Sequence, residues 1–518
     1  MNRNKKMVKS LFCGVLAMGT VLSATVVPYV GPVNVLAADS VITANESTLT
    51  INEVVNGTAT TGSQFSLYRV MDLAADGTFT VNANFADELQ GVTADKLGTF
   101  SSSEVEALVA KLQDKAKTLT ADYTVEANKK SDPLTNGYYL AVETATTESD
   151  ILTSAPFLVS LPSTNNYKDN GRGTEWSYDV SIDTKTMRIG IEKQIKGAKG
   201  SKDSTAAYDG MKDTVALGDT ISYELKTIVP AYTKAYFADG KAPVFKIKDT
   251  MTAGLTFKRD TLKVTVDGVD YSDAVDVTEA EGSVEVSFPR NLLTLSTVQG
   301  KDVVVAFDAE VNDKATMGTT ANEAKASIEF NKTPDTVETK ESDVTDVYSF
   351  GVEVTQFTKE AGDAAGTALR DAEFTLYKDQ ACAEAVGTAT TDENGKLNFN
   401  LVDAGDYWLK EVKSPSGYTL LTKPVKISLV PELDADNKVL SGSLAKVLVN
   451  DTEVTGTDTG AFDTFVDATA GVVHVGIENH KGFTLPATGG AGIYLLVTFG
   501  LAGAMTLTVV AMKKRKEN

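Results

Sequence analysis

The sequence predicts an all-β chain of tandem sandwich domains with a single helical insertion. Three observations carry that expectation. Apolar and polar residues alternate along Thr48-Leu49-Thr50-Ile51, Ile221-Ser222-Tyr223-Glu224-Leu225 and Ser327-Ile328-Glu329-Phe330, the period of a strand with one buried face. Gly, Asn and Asp punctuate these runs, as turns between antiparallel strands require. Only one stretch, Ser103 to Thr118, has clear helical spacing: Val105, Leu108, Val109 and Leu112 share a face, and Ser103 with Glu106 forms a capping box. The run Val303-Val304-Val305-Ala306-Phe307 lacks alternation and reads as a more buried strand.

An internal echo divides the chain. Phe65-Ser66-Leu67-Tyr68 returns as Phe374-Thr375-Leu376-Tyr377, and Tyr139-Leu140-Ala141-Val142-Glu143 returns as Tyr407-Trp408-Leu409-Lys410-Glu411. The expected helix falls between the first pair. This places one sandwich at 39–185, a second of different pattern at 186–347 and a third at 348–484.

Composition narrows the function. The 518 residues include 49 Lys+Arg, 70 Asp+Glu, 2 His and 2 Cys, with 42% apolar content and a formal charge of −21. Such a chain can bury several cores, and its acidity argues against nucleic-acid binding, which needs clustered Lys and Arg. Scarce Cys and His exclude zinc fingers, disulfide scaffolds and most His-based active sites. Neither a metal nor another cofactor is implied. His474 and His480 have no G-x-S-x-G, HExxH or paired ligand spacing near them.

The two ends give an address. Arg3, Lys5, Lys6 and Lys9 precede an apolar run from Leu11 to Val27, and Ala37-Ala38 follows, so residues 1–38 read as a secretory signal. At the other end stands Leu485-Pro486-Ala487-Thr488-Gly489, followed by an apolar segment at 490–512 and the basic tail 513–518. The segment is long enough for a transmembrane helix, and the tail belongs on the cytoplasmic side. The pentapeptide 485–489 resembles the LPxTG wall-sorting motif of Gram-positive surface proteins. The resemblance implies that a sortase cuts between Thr488 and Gly489 and passes the Thr488 acyl group to an amine. Residues 39–488 would then be exposed, with 41 basic against 69 acidic residues, a net of −28. Cys13 leaves with the leader, so Cys382 stands alone and no intramolecular disulfide is possible.

Lysine chemistry fills that gap. Tyr407-Trp408-Leu409-Lys410-Glu411-Val412-Lys413-Ser414-Pro415-Ser416-Gly417-Tyr418 resembles the E-box of Gram-positive pilins, with Trp408 before the Leu and Ser414 in place of Ala. In that family the Glu catalyses a Lys–Asn isopeptide bond inside a Cna B-type domain. The chemistry is intelligible: burial disfavours the charged amine, freeing it to attack, while a buried carboxyl keeps its proton and polarises the Asn carbonyl. By resemblance the third domain offers Lys359, Glu411 and Asn479. Family spacing before Leu369-Arg370-Asp371-Ala372-Glu373-Phe374 selects Lys359, whereas alternation from Val352 and Val354 points Gln356 inward instead.

The middle domain resembles the other pilin module, a Cna A-type sandwich. Ile191-Glu192-Lys193-Gln194-Ile195 is similar to its first strand, Gly218-Asp219-Thr220-Ile221-Ser222-Tyr223 to G-D-x-V-x-Y, and Asp249-Thr250-Met251-Thr252-Ala253-Gly254-Leu255-Thr256-Phe257 to D-x-L-x-x-G-L-x-F. Asn322-Glu323-Ala324 is similar to N-x-A before a final strand. The resemblance implies that Lys193 joins Asn322 with Asp249 as catalyst; Asn331 is the rival partner. The first domain, Cna B-like, has no Lys on its opening strand Ser47–Val55 and no P-x-G-Y after Glu143. No isopeptide bond is expected there, and Glu143 reads as an ordinary strand residue.

One more lysine decides whether the protein polymerises. Trp176-Ser177-Tyr178-Asp179-Val180-Ser181-Ile182-Asp183-Thr184-Lys185-Thr186 resembles the pilin motif W-x-x-x-V-x-V-Y-P-K-N, with Asp183-Thr184 for Tyr-Pro and Thr186 for Asn. The resemblance makes Lys185 the nucleophile that accepts Thr488 of another copy. The expected molecule is the major subunit of a sortase-assembled surface pilus that supports adhesion. It is built of immunoglobulin-like sandwiches in the order Cna B-like, Cna A-like, Cna B-like. Its partners would be pilus-specific and housekeeping sortases, identical subunits head to tail, and accessory pilins. The alternative is a wall-anchored adhesin that does not polymerise. Two isopeptide bonds are expected within each chain.

Overall fold

The computed structural model describes residues 42–482 except 56, 98, 146, 165–175, 185, 200–209, 361–365, 456–459 and 461. The leader, the sorting motif, the apolar segment 490–512 and Lys185 therefore lie outside the described residues.

In the first region β1 (Glu46–Asn52) runs parallel to a strand near its end, with Leu49 opposite Val180 and Ile51 opposite Ile182. A second sheet is formed by β2 (Gln64–Leu73), β3 (Tyr123–Glu126), β4 (Gly137–Ala145) and β5 (Phe157–Leu161). The parallel partner of β1 is β6 (Asp179–Asp183). Leu49, Ile51, Phe65, Tyr139 and Phe157 fill the space between the sheets. The outer face of β2, β4 and β5 is apolar too, through Met71, Tyr138, Leu140 and Leu158, and the helix covers it with Val105, Leu108, Val109 and Leu112.

That helix, α1 (Ser102–Ala116), starts earlier than the sequence suggested. Its cap is Ser101: the Ser101 amide donates to Glu104 Oε2 at 2.8 Å and the Glu104 amide donates to Ser101 Oγ at 3.4 Å. Glu106, the expected box partner, instead pairs with Lys234 of the second region at 2.7 Å. Two overlapping Ser-x-x-Glu frames exist in the sequence, and the one that adds a half-turn of helix is used.

The second region is a sandwich of a five-stranded and a six-stranded sheet. Its main strands are β7 (Glu192–Lys199), β8 (Thr220–Ile228), β9 (Phe245–Met251), β10 (Leu255–Val266), β11 (Ser283–Ser287), β12 (Asp302–Val311), β13 (Asn322–Thr333) and β14 (Thr336–Tyr348). One sheet carries β7, β8, β12 and β10 in that order, and the other carries β14, β13, β9 and β11. Strand β12 alternates after all, with Val303, Val305 and Phe307 buried and Val304 and Ala306 half-buried.

The third region repeats the topology of the first. Here β15 (Phe350–Thr358) runs parallel to β21 (Val472–Glu478) and antiparallel to β17 (Lys396–Val402). The facing sheet orders β16 (Glu373–Tyr377), β18 (Gly405–Lys413), β19 (Val425–Leu433) and β20 (Val439–Val449). The internal echo becomes a shared register: Phe65 lies opposite Glu143, and Phe374 opposite Glu411.

The junctions differ. Second and third regions meet backbone to backbone, with Leu217 N donating to Leu401 O at 2.8 Å and Thr319 N to Thr469 O at 3.0 Å. Gly442 is needed there, because a Cβ would lie 1.9 Å from Gly318 O. The first junction is made by a strap, residues 149–154. Leu152 inserts into the core of the second region, and Thr153 Oγ1 donates to Lys332 O at 2.9 Å.

Candidate functional site

Each sandwich buries a carboxyl on an inward-facing strand position, Glu143, Asp249 and Glu411 in turn, and its partners differ in all three. In the second region Lys193 on β7 and Asp249 on β9 come from opposite sheets, and their side chains are essentially fully buried. Lys193 Nζ bonds Asp249 Oδ2 and sits 4.2 Å from the Tyr223 ring centroid and 5.5 Å from that of Phe307. Burial lowers the Lys193 pKa, the Asp249 charge opposing it, and raises that of Asp249 to about 6, opposed by Lys193. Both shifts favour the uncharged pair. Asp249 Oδ1 has no hydrogen-bond partner among the described residues.

Asn322 is buried at the start of β13, on the same face as Ala324 and Ala326. Ala326 lies opposite Asp249. The Asn322 carboxamide accepts from Thr316 N at 2.9 Å and donates to Thr316 O at 3.1 Å and Val347 O at 3.4 Å. It makes no hydrogen bond to Lys193 or Asp249. The rival Asn331 is held elsewhere, its Oδ1 accepting from Val244 N at 2.6 Å.

In the third region the carboxyl is Glu411 on β18, 1% exposed. It accepts from Gln356 Nε2 at 2.6 Å, from Asn479 Nδ2 at 3.2 Å and from Leu421 N at 2.7 Å. Asn479 follows β21 directly, and its amide donates to Phe357 O at 2.8 Å. Glu411 and Asn479 therefore meet as the resemblance implied, but Lys359 does not join them. It is exposed, one residue beyond the end of β15. Strand alternation decides the matter: Val352, Val354 and Gln356 face inward, and Gln356 is completely buried where an amine was expected. Gln356 Oε1 is left without a partner among the described residues.

In the first region Glu143 is not the ordinary strand residue its sequence context suggested. It is 6% exposed and its pKa is raised to about 8, first by burial and then by the charge of Glu53. Glu53, just past β1, is completely buried. Its carboxyl accepts from Thr60 Oγ1 at 2.6 Å and Ser154 Oγ at 2.9 Å, while Glu143 Oε2 accepts from Ser154 N at 2.6 Å. The signal for Glu53 was in the sequence: Leu49, Ile51 and Glu53 continue one inward face.

Lys185 and Thr488 lie outside the described residues, and only their sequence neighbours can be given. Lys185 lies between Thr184, whose amide donates to Asn52 O at 2.8 Å, and Thr186, whose hydroxyl donates to Leu152 O. Leu485, Pro486, Ala487, Thr488 and Gly489 follow Gly482, the last described residue.

Comparison with known proteins places these sites in context. Residues 355–442 match the SpaA prealbumin-like fold domain, and residues 477–518 match the LPXTG cell wall anchor motif. The chain is 23% identical over 377 residues to the trypsin-resistant surface T6 protein of Streptococcus pyogenes serotype M6, covering 61% of this chain and 68% of that protein. It is 24% identical over 425 residues to the fimbrial subunit type 1 of Actinomyces viscosus, covering 73% of each. In fold it is similar to the T6 backbone pilin of serotype M6 Streptococcus pyogenes, with a TM-score of 0.55 at 20% identity over 86% of this chain and 100% of that one. The full-length major pilin SpaD of Corynebacterium diphtheriae gives a TM-score of 0.52 at 18% identity over 85% and 98%. An LPXTG anchor behind a SpaA-type domain, with fimbrial relatives along most of its length, makes the chain a wall-attached pilin, a structural subunit of a surface pilus.

Proposed function

We propose that this chain is the polymerising backbone subunit of the pilus, joined from Thr488 of one copy to Lys185 of the next. The anchor match over 477–518 carries the reading, because it supplies the acyl donor. The acceptor is argued from the pilin-like motif around Lys185, which lies in the connection between the first two sandwiches. A sortase cysteine would cleave after Thr488 and release Gly489. The neutral Lys185 amine would then attack the acyl-enzyme, forming the amide and freeing the thiol. A head-to-tail contact of this kind does not close and so generates a fibre. Replacing Lys185 with Ala should abolish the high-mass ladder in blots of wall extracts. An unchanged ladder would refute the assignment, and a single band from the unaltered protein would favour the non-polymerising adhesin.

Within the chain we infer one isopeptide bond, not two. Lys193 Nζ attacks the Asn322 side-chain carbonyl carbon, a C–N bond forms, and ammonia leaves with the proton relayed by Asp249. Proximity set by folding replaces an external enzyme. The support is the buried Lys193–Asp249 pair; Asn322 would have to exchange its bonds to Thr316 for this pair. In the third sandwich Gln356 supplies no amine, and among the described residues Lys193 is the only buried lysine. Intact mass of the mature protein should therefore fall short of the sequence mass by one ammonia, about 17 Da. A deficit of two would put a reactive lysine back in the third sandwich.

A further inference from the structure

The first sandwich holds a pair of carboxyls that neither polymerisation nor crosslinking uses. We propose that Glu53 and Glu143 share one proton, and that this acid–carboxylate bridge is a latch that holds the strap between the first two sandwiches.

Both carboxyls are buried and close on one residue, Glu53 on the Ser154 hydroxyl at 2.9 Å and Glu143 on the Ser154 amide at 2.6 Å. A hydrogen bond between the two requires a proton on one of them, because ionised carboxylates offer only lone pairs. Glu143 Oε1 finds no donor among the described residues, which is what an oxygen looks like when it carries the proton itself. The other three oxygens each accept one donor, Thr60 and the Ser154 hydroxyl on Glu53 and the Ser154 amide on Glu143, which leaves lone pairs on Glu53 to take the proton. Like charges this close resist joint ionisation, and the Glu53 charge adds to burial, the larger cause, in raising the pKa of Glu143.

Ser154 gives the pair its mechanical meaning. It is gripped by both carboxyls and ends the strap, whose earlier residues are fixed to the second sandwich: Leu152 N donates to Met187 O at 2.9 Å, and Arg188 pairs with Asp150 and Glu148. The two lysines that line a cavity with Glu143, Lys241 and Lys117, already have carboxylate partners among the described residues. Lys241 pairs with Asp335 at 2.7 Å and Lys117 with Asp114 at 2.8 Å, while Tyr236 donates to Lys332 O at 2.9 Å. Lys117, Lys241 and Tyr236 line, with Glu143 and Ser154, a cavity of about 180 Å³ at the junction through which the proton can exchange.

The sign follows from linkage. Unfolded Glu143 ionises near the ordinary carboxylate range, whereas the folded residue holds its proton to about pH 8. Between those limits the folded state binds more protons, so stability falls as pH rises and levels off above the folded value. The test is hydrogen exchange, read by mass spectrometry on the mature protein between pH 5 and pH 9 and corrected for intrinsic rates. Peptides covering 149–156 should lose protection as pH rises, by up to about tenfold per unit of pH below the folded value and about threefold across the unit centred on it. Glu143→Gln, whose amide donates as the protonated acid does, should keep the protection and abolish its pH dependence. Equal pH dependence in the two proteins would overturn the proposal. Should Glu143→Gln fail to fold, Glu53→Gln serves the same purpose. A side-chain carboxyl signal titrating above pH 7 in isotope-edited infrared spectra of the unaltered protein supports it, and its absence refutes it.

Discussion

The second and third sandwiches build nearly the same machine and equip it differently. Both bury a carboxyl opposite an inward-facing residue of the first strand, Lys193 facing Asp249 in one and Gln356 facing Glu411 in the other. Both hold an asparagine on or just beyond a strand of the same core, Asn322 and Asn479. A lysine brings a nucleophile and, through burial, loses the charge that would keep it inert. A glutamine brings a reach one bond shorter and a hydrogen-bond donor but no lone pair that can attack. The difference separates a buried amine beside a carboxyl from a hydrogen-bonded lock, although the surrounding motif is equally recognisable in each.

Three substitutions break or sharpen this contrast. The largest effect belongs to Asp249→Ala, which strands Lys193 in the core and removes the proton carrier. Losing one partner of a buried pair costs about 3–5 kcal/mol, and a missing crosslink about 2–4 kcal/mol if it acts like a disulfide. Denaturant unfolding should register the loss, and the ammonia deficit should disappear from the mass; a deficit that survives would remove Asp249 from the chemistry. Next comes Gln356→Lys, which should turn the lock into a reaction centre and add a second deficit of about 17 Da, with a gain of about 2–4 kcal/mol. An unchanged mass would mean that the geometry around Glu411, not the missing amine, prevents reaction. The smallest effect is expected for Lys359→Ala, within about 0.5 kcal/mol as for other surface changes. A simultaneous gain of about 17 Da would restore Lys359 to the site.

Much of this was legible in the residues. The echo between Phe65-Ser66-Leu67-Tyr68 and Phe374-Thr375-Leu376-Tyr377 marked two strands that take one register against Glu143 and Glu411. Period-two alternation placed Gln356 inward and was the better guide than family spacing, because side-chain direction on a strand is set locally. Glu53 obeyed the same rule and went unread: a charged residue on an apolar face looks like the end of a strand until its partner is known. Leu152 could not be assigned from sequence, since the core it enters belongs to the next sandwich and only tertiary packing brings them together. The helix start was ambiguous for a local reason, two Ser-x-x-Glu frames two residues apart.

The strand pairing also says where a covalent tie matters under load. In the third sandwich β15 and β21, the entry and exit strands, run side by side in the same direction from Gly351–Val472 to Phe357–Glu478. Pulling the chain by its ends draws these neighbours past each other, so the rungs of that ladder resist together rather than one at a time. In the second sandwich β7 and β14 belong to separate sheets, and among the described residues the parallel pairing to the exit strand is the short one of 212–214 with 346–348. A bond from Lys193 to Asn322 would bridge the two sheets there, leaving the weaker geometry with the stronger fastening.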